Sequence, residues 1–416
     1  MAQVSGSAID NATAPAEAGG LRALVVTSPE AFRSLRAELD TLCDELCEEN
    51  VFYEPWLIDP ALTHLGGKGA LRFVCFYETG KAGRLCGFFP LMLAPLHRLL
   101  PIPILQSWYH PHCFRCTPLI RTGFALACWS ALLDWLEQQP ARQRLLYLNR
   151  LASEGEVEQA LQRLLGQHTR MRHSVVGYET AFLRIDRSRP TDSKTVLRQV
   201  MSRRTLGKLG RQQRRLSERG QLVFAEADEA PDLTPLVDDF LQLEASGWKG
   251  QSGTALACHA SDEAFFRAVT GQARERGRLT FLTLRLDGKL VAAQTCLIGR
   301  DGAFLFKVAY NESYAKYSPG ILLEIEHLRR VLAPEDRLLG KLRWADSCAD
   351  PDDGPVYRCW PGRRTIRDYR IAGRLSPLML VVVLWPLLRS AYHRLQHRKA
   401  NIWRGRKAAA PPAETE

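Results

Sequence analysis

One order of predicted elements occurs twice along the chain, and this repetition limits the fold more than any other feature. In each half, two strands joined by a turn are followed by a third strand, a loop, a helix and a fourth strand. The first copy begins at residues 72–78. The second begins at 280–286, where Asp287-Gly288 is a hairpin signal. The repeat concerns element order and not residue identity, so the alternative is a chance recurrence within a mixed α/β protein.

The duplication predicts an α/β chain, with mixed sheets of the α+β kind, in two domains. The length of 416 residues also favours more than one domain. The polar, proline-bearing segment 187–195 is typical of a boundary, which we set near Pro190. We therefore expect a disordered leader over 1–20, domains over 21–190 and 191–372, and an apolar and basic tail over 373–416.

Composition favours a cytoplasmic protein. The leader has neither the basic nor the apolar region of a signal peptide. The eleven cysteines are scattered along the chain, which is typical of reduced thiols. A CxxC with two flanking histidines lies at residues 110–116, but no second cysteine pair accompanies it. We therefore interpret it as a loop with incidental thiols and expect no metal.

The net charge of +11 is concentrated in two segments, so a generally basic, DNA-binding body is not indicated. Residues 198–219 carry eight Lys or Arg and one acidic residue, and predict a helix with a solvated face, or one that binds anionic lipid or RNA. The apolar run 375–388 is shorter than the roughly twenty residues that cross a bilayer. With the basic flank 389–407 it indicates either peripheral attachment to an anionic membrane or a helix docked on the protein.

The stretch 303–323 is the leading candidate for a site. An apolar strand over 303–310 runs through a tyrosine-rich loop into a helix, with Ser318 at the expected N-cap and Pro319 at the first helical position. Unpaired N–H groups at such a helix start bind phosphate or pyrophosphate. A tyrosine phenol near a departing thiolate is a candidate general acid, although the same rings could simply cap the edge of the core.

Two further segments are candidates for substrate contacts. Gly247 is expected to end a helix that carries Glu244, and Trp248 and Lys249 follow in a glycine-rich loop. This loop predicts either a substrate wall or a helix end packed on the core. Asp346 follows a predicted strand, where a carboxylate can accept a proton or form a turn.

Several of these stretches resemble the GNAT acyltransferases of the CelD/BcsL and FemAB-like type. The resemblance covers about 31–372 and is strongest in the second half. Its motifs are Asn50-Val-Phe-Tyr-Glu-Pro-Trp56, the Gly247-Trp248-Lys249-Gly250 loop with Ser252-Gly253-Thr254, the tyrosines 310, 314 and 317 with Ser318-Pro319-Gly320, and Trp360-Pro followed by Arg363-Arg364-Thr365-Ile366. The glycine-rich phosphate loop usual in GNAT proteins is absent, because this stretch has one glycine.

The resemblance implies a tandem GNAT acyl-CoA acyltransferase fold whose second unit binds acetyl-CoA or a longer acyl-CoA and transfers the acyl group to an amine. Glu244 or Asp346 would accept the proton, and Tyr310 or Tyr314 would protonate the thiolate. Trp248 and Lys249 would contact the acceptor. The backbone of 294–297 would hold the carbonyl. The residues expected to bind the donor are Gln294, Cys296, Lys307, Tyr317, Ser318, Gly320 and Ile321.

Two alternatives stay open at the level of sequence. The first is a FemAB-like transferase that uses aminoacyl-tRNA and grips it with residues 198–219. The second is a degenerate GNAT pair that acts as a membrane-associated scaffold. For the enzyme we expect a role in envelope or exopolysaccharide biosynthesis, at the inner face of the membrane.

Overall fold

The computed structural model describes residues 20–66, 69–80, 83–97, 100–167, 172–189, 191–226, 232–349, 354–373 and 376. The predicted leader up to residue 19, the boundary at Pro190 and the tail beyond 373, except Ser376, lie outside these residues. The division into two domains therefore stays a prediction, although strand pairing crosses the boundary as described below.

The first half contains nine strands and five helices among the described residues. The strands are β1 Leu21–Val26, β2 Ala70–Leu71, β3 Phe73–Glu78, β4 Leu85–Phe89, β5 Leu91–His97, β6 Leu100–Ser107, β7 Leu119–Ile120, β8 Leu145–Ala152 and β9 Arg172–Arg184. The helices are α1 Pro29–Ser34, α2 Arg36–Asp44, α3 Pro55–His64, α4 Ala125–Gln138 and α5 Glu156–Gln167.

The second half contains six strands and seven helices in the described part of the chain. The strands are β10 Leu222–Glu226, β11 Leu279–Leu286, β12 Lys289–Ile298, β13 Gly302–Tyr310, β14 Trp344–Asp346 and β15 Gly362–Ala372. The helices are α6 Ser193–Val200, α7 Arg203–Ser217, α8 Thr234–Ser246, α9 Trp248–Gln251, α10 Ala260–Glu275, α11 Pro319–Leu332 and α12 Gly354–Cys359.

Local signals explain where the predicted elements divide. The basic segment 198–219 is not one helix, because Ser202 caps a new helix by accepting a hydrogen bond from the Thr205 N–H at 3.1 Å. The long return strand of the first half is divided at Pro90 into β4 and β5. Gly247 ends α8 as expected, but Trp248 and Lys249 then form the short helix α9 instead of a loop.

The predicted duplication appears in the sheet. In the second half β13 pairs in parallel with β14, and α11 connects them. In the first half β6 pairs in parallel with β8, and α4 lies in the connection. The chain thus has a mixed α/β fold in which the same arrangement of parallel strands and a connecting helix occurs twice.

Each unit gives its last strand to the other. The large sheet runs in the order β10-β11-β12-β13-β14-β9-β15-β8-β6-β5-β2, so β9 lies beside β14 and β15 lies beside β8. These two long strands pair antiparallel with each other, from Gly362 opposite Phe182 to Ala372 opposite Arg172. Neither unit can therefore leave the other without breaking main-chain hydrogen bonds on both sides of the junction.

Aromatic packing joins the halves a second time. The ring of Phe52 lies 5.6 Å from Phe304 and 5.5 Å from Phe114, both in edge-to-face geometry. Arg278 donates to the Glu54 carboxylate and lies over the Trp56 ring at 5.3 Å. The motif at residues 50–56, which the resemblance singled out, thus holds the second half against the first.

A buried ion cluster lies where β14 meets β9. Asp346 is 0% exposed, and Arg115 of the first half donates to both of its carboxylate oxygens. Arg364 on β15 donates to Asp346 at 3.2 Å, and the Cys348 N–H donates at 2.9 Å. Burial opposes ionisation, but the two guanidinium charges keep the pKa of Asp346 below its usual value.

In the part of the chain that the structure describes, no helix is long and apolar enough to span a bilayer. All eleven cysteines are described and none forms a disulfide.

We expect Arg115→Ala to lower the free energy of unfolding by about 3–5 kcal/mol, because it leaves the buried Asp346 carboxylate without its main partner. Urea denaturation at pH 7 measures this. Arg84→Ala is the matched control, since Arg84 pairs with Glu78 on the surface and its loss should leave the urea midpoint unchanged. Equal effects of the two changes would show that the Arg115 cluster does not hold the halves together.

Candidate functional site

Strands β13 and β14 stay together for three residue pairs and then separate. The pairs are Gly302 with Trp344, Ala303 with Ala345 and Phe304 with Asp346. Strand β14 ends at Asp346, while β13 continues to Tyr310. Beyond Phe304 the edge of β13 therefore faces an open wedge.

A β-bulge in β13 lies beside this wedge. On β12, Thr295 pairs with Lys307 but its neighbour Cys296 pairs with Leu305, so Phe306 is an extra residue. A bulge bends the strand and re-aims the side chains next to it. The bulge therefore breaks the regular alternation of side chains along β13 just before Lys307.

The wedge contains a cavity of about 730 Å³. Its lining comes from both halves of the chain. Residues of the first half that line it include Phe114, Arg115, Arg150 and Tyr178. Those of the second half include Glu244, Trp248, Lys249, Gln294, residues 305–310, Glu312, residues 318–321, residues 347–349 and Val356.

The first turn of the fourteen-residue helix α11 forms one wall of the cavity. Ser318 occupies the predicted N-cap, but it adopts a left-handed conformation (φ 56°, ψ 50°) and its hydroxyl does not cap the helix. Its carbonyl accepts hydrogen bonds from Ile321 and Leu322 instead. Pro319 has no N–H, and the Gly320 N–H has no partner among the described residues. This amide lies at the positive end of the helix dipole, where an anion is stabilised.

Gln294 on β12 lines the same cavity and carries an unsatisfied donor. The side chain is only 3% exposed, and its Nε2 has no hydrogen-bond partner within the described chain. A buried amide donor without a partner costs about 1–3 kcal/mol, which a ligand oxygen would recover. The main chain of β12 is different, because it pairs with β11 on one side and β13 on the other. The main chain of 294–297 thus lies inside the sheet, with a strand on each side, and the backbone carbonyl contact expected there stays a prediction.

Glu244, Trp248 and Lys249 meet at one side of the cavity, as the sequence suggested. Both Glu244 oxygens are engaged, one by Lys249 Nζ at 2.8 Å and the other by the Leu256 N–H at 2.8 Å. Lys249 Nζ also donates to the Val308 carbonyl at 3.0 Å. Trp248 is 55% exposed, so it forms a rim rather than part of the core.

Lys307 lies at the centre of a polar chain that the sequence did not reveal. Its Nζ is 2.8 Å from His112 Nδ1, and His112 Nε2 is 3.2 Å from an Asp262 oxygen without forming a hydrogen bond. Burial and the Lys307 charge lower the pKa of His112 to about 2, so this imidazole is neutral. Burial lowers the pKa of Lys307 to about 8, although Glu244 and Asp262 oppose the shift. His112 belongs to the loop at 110–116 that we interpreted as carrying incidental thiols. Only its contact with Lys307 of the other half identifies it as part of the site.

Other predicted site residues lie outside the cavity lining. Asp346 is enclosed in the ion cluster, so it has no free oxygen facing a substrate. Cys296 faces α11 and its thiol is 3.5 Å from His327 Nε2. Tyr314 packs on the core beside α11, and the Tyr317 hydroxyl accepts a hydrogen bond from Arg219 at 3.3 Å. Tyr310, Lys307, Ser318, Gly320 and Ile321 do line the cavity. No cluster of metal-binding side chains is found among the described residues.

The corresponding wedge of the first half is closed. Strands β6 and β8 pair at Leu105 and Gln106 and then separate, but the loop after β6 occupies the gap. The Cys116 N–H donates to the Arg150 carbonyl on β8 at 3.2 Å. Trp108 and Cys113 of this loop are fully buried. The loop thus fills its own wedge and extends Phe114 and Arg115 into the lining of the other.

Part of the chain is similar to a known family, and its fold is similar to solved structures. Residues 202–342, from α7 to the turn before β14, match the family model of an acetyltransferase (GNAT) domain. The crystal structure of FemX superposes with a TM-score of 0.51 at 11% identity, covering 83% of this chain and 98% of that one. A tandem GNAT protein from the clavulanic acid biosynthesis pathway gives a TM-score of 0.43 at 14% identity, covering 85% and 99%. No curated protein sequence matches the chain. At these identities the structural likeness concerns the fold alone.

We expect Gln294→Met to raise the free energy of unfolding by about 1–3 kcal/mol, because it removes a buried donor that has no partner while keeping the side-chain volume. Urea denaturation of the ligand-free protein measures the change. Gln213→Met is the control, since Gln213 is exposed on α7 and its replacement should have no effect. A loss of stability in Gln294→Met would mean that the amide is already satisfied.

Proposed function

We propose that the chain is an acyltransferase that moves an acyl group from acyl-CoA to an amine. The observation that carries the proposal is the cavity between β13 and β14, which ends at the first turn of α11. An open strand edge followed by a helix start suits a donor with an extended, amide-bearing arm and a pyrophosphate. The match of residues 202–342 to a GNAT domain supports the same class of reaction.

The donor lies along β13 in this proposal. Its pyrophosphate contacts the Gly320 N–H at the positive end of α11, and its pantetheine amides hydrogen-bond to the free edge of β13 beyond Phe304. The thioester carbonyl accepts a hydrogen bond from Gln294 Nε2, which has no other partner in the described chain. A donor aimed at the oxygen on which charge develops stabilises the transition state.

Tyr310 is the proposed general acid for the departing thiolate, because it lines the cavity and Tyr314 does not. The acceptor enters on the side of Trp248, whose ring is exposed at the rim. Lys249 is held by Glu244 and the Val308 carbonyl, and this ion pair forms a polar wall beside the acceptor. The acceptor reacts in its neutral form, because only a neutral amine has the lone pair that attacks the carbonyl carbon.

The finer assignments rest on the sequence and form part of the proposal. They are membership of the CelD/BcsL type, a role in envelope or exopolysaccharide biosynthesis, and a place at the cytoplasmic face of the membrane. For the last, the tail beyond 373 would attach to anionic lipid through its apolar run and its basic flank. No metal enters the reaction as we propose it.

Calorimetry with acetyl-CoA and a longer acyl-CoA tests the donor site, and we expect the wild-type chain to bind at least one. Gln294→Met should weaken that binding about 5- to 150-fold, the equivalent of one lost hydrogen bond of about 1–3 kcal/mol. Ala349→Trp should abolish it by filling the cavity, whereas Val223→Trp on the exposed face of β10 should not. Binding that survives Ala349→Trp would place the donor elsewhere.

Aminoacyl-tRNA is the second candidate donor, and helix α7 favours it. Six exposed cations on α7 have no ion pair within the described residues, namely Arg203, Arg204, Lys208, Arg211, Arg214 and Arg215. Gln212 Nε2 donates to the Lys316 carbonyl at 2.6 Å, so α7 lies beside the segment that leads into α11. A polyanion on α7 would therefore reach the mouth of the cavity.

If tRNA is the donor, it should bind with an affinity that falls steeply between about 50 and 200 mM salt. The triple change of Arg211, Arg214 and Arg215 to Ala should then remove the binding, because it halves the free charge of α7. Filter binding with total tRNA measures both effects. Binding that the triple variant retains, or that salt does not weaken, would exclude this donor.

A further inference from the structure

The proposed reaction needs a group that takes a proton from the attacking amine, and the two expected carboxylates are engaged elsewhere. Asp346 is surrounded by Arg115, Arg364 and the Cys348 N–H, with no exposed surface. Glu244 accepts from Lys249 and from the Leu256 N–H. Protonating either carboxylate would break a buried ion pair, which costs several kcal/mol.

Lys307 has no such engagement with an anion. Its Nζ contacts the neutral imidazole of His112 at 2.8 Å, and it lies 5.3 Å from the ring centres of both Phe114 and Phe306. The side chain leaves β13 next to the bulge and lines the cavity. It therefore stands between the open edge of β13, where the thioester is proposed to lie, and the Trp248 side.

We propose that Lys307 is the proton acceptor for the amine, that His112 is a positioning residue which holds the Lys307 Nζ, and that Asp262 acts on Lys307 through its charge. This inference rests on the proposed acyl transfer. The amine nitrogen bonds to the thioester carbonyl carbon, and the ammonium proton of the tetrahedral adduct moves to neutral Lys307. The C–S bond then breaks, and Tyr310 gives its proton to the thiolate and recovers one from water. The products are the amide and CoA thiol.

His112 holds the Lys307 amine in place. Its Nδ1 accepts a hydrogen bond from Lys307 Nζ at 2.8 Å, so the neutral imidazole carries its hydrogen on Nε2. His112 Nε2 makes no hydrogen bond within the described residues, and the Asp262 carboxylate 3.2 Å away acts on the group through its charge. Lys307 is partly exposed in the cavity, so it returns the captured proton to water there. His112 lies against Phe265 in a stacked geometry, which fixes the ring in this orientation.

Charged groups from every neighbouring element act on Lys307. Lys249 on α9 disfavours its protonation, and Glu244 on α8 and Asp262 on α10 favour it. His110 and His112 of the first-half loop are neutral, because burial lowers the pKa of His110 to about 3 and of His112 to about 2. With a pKa near 8, about a tenth of Lys307 is the free base at pH 7 and about half at pH 8.

The free base can be measured without any acceptor. Acetic anhydride labels only neutral amines, and mass spectrometry can follow Lys307 and the exposed Lys289 in the same digest as the pH rises. We expect half-maximal labelling of Lys307 near pH 8. Asp262→Asn should move the Lys307 midpoint to lower pH, because it removes a negative charge that stabilises the protonated form. Asp238→Asn, outside the cavity lining, should not move it.

The same residue should react with bound donor when no amine is supplied. With acetyl-CoA, or the longer acyl-CoA that calorimetry selects, we expect acylation of Lys307 with release of one CoA thiol and the same pH midpoint. A labelling midpoint of Lys307 well above pH 8, or donor binding without acylation of Lys307, would overturn the assignment. If no acyl-CoA binds, both the proposed function and the role of Lys307 in it fail. A labelling midpoint of Lys307 near pH 8 in that case would show that its environment was nevertheless correctly identified.

Discussion

The exchange of the last strand between the two units is the constraint on which the rest of the structure depends. Strand β9 completes the second unit and β15 completes the first, and the two pair with each other along their length. A buried aromatic core and the Arg115–Asp346–Arg364 cluster lie at the same junction. Because main-chain hydrogen bonds, apolar burial and a desolvated ion cluster all cross it, the two halves form one folded body.

This junction also builds the site. The open wedge belongs to the second unit, but part of its wall comes from the loop that closes the wedge of the first. The same loop brings His112 to Lys307. The loop of the first unit thus forms part of the wall of the second unit's site. Its His112 ring contacts Lys307 and its Arg115 guanidinium contacts Asp346, each about two hundred residues away in the sequence. The polar groups work as a set only while the junction is intact.

Much of the second unit could be predicted from the sequence. The hairpin of β11 and β12, the strand β13 and the helix α11 after Ser318-Pro319 follow from alternation, turn residues and capping signals, all of which act within a few residues. Lys307, Tyr310 and Gly320 of the cavity lining belong to these elements, whereas Gln294 and the role of Glu244 followed from the family resemblance. Asp346 was expected to accept a proton because it ends a strand, and here Arg115, Arg364 and the nearby Cys348 N–H enclose it.

The sequence by itself determined the two-fold repetition of elements, the polar strand-to-helix segment around 303–323 and the uneven distribution of positive charge. Such features depend on neighbours along the chain, where periodicity and caps have their effect. Only the tertiary structure decided that the units exchange strands, that Cys296 faces a helix instead of the cavity, and that Lys307 meets His112. Strand partners and cross-half contacts are non-local, because they follow from how whole faces are buried and not from the residues beside them.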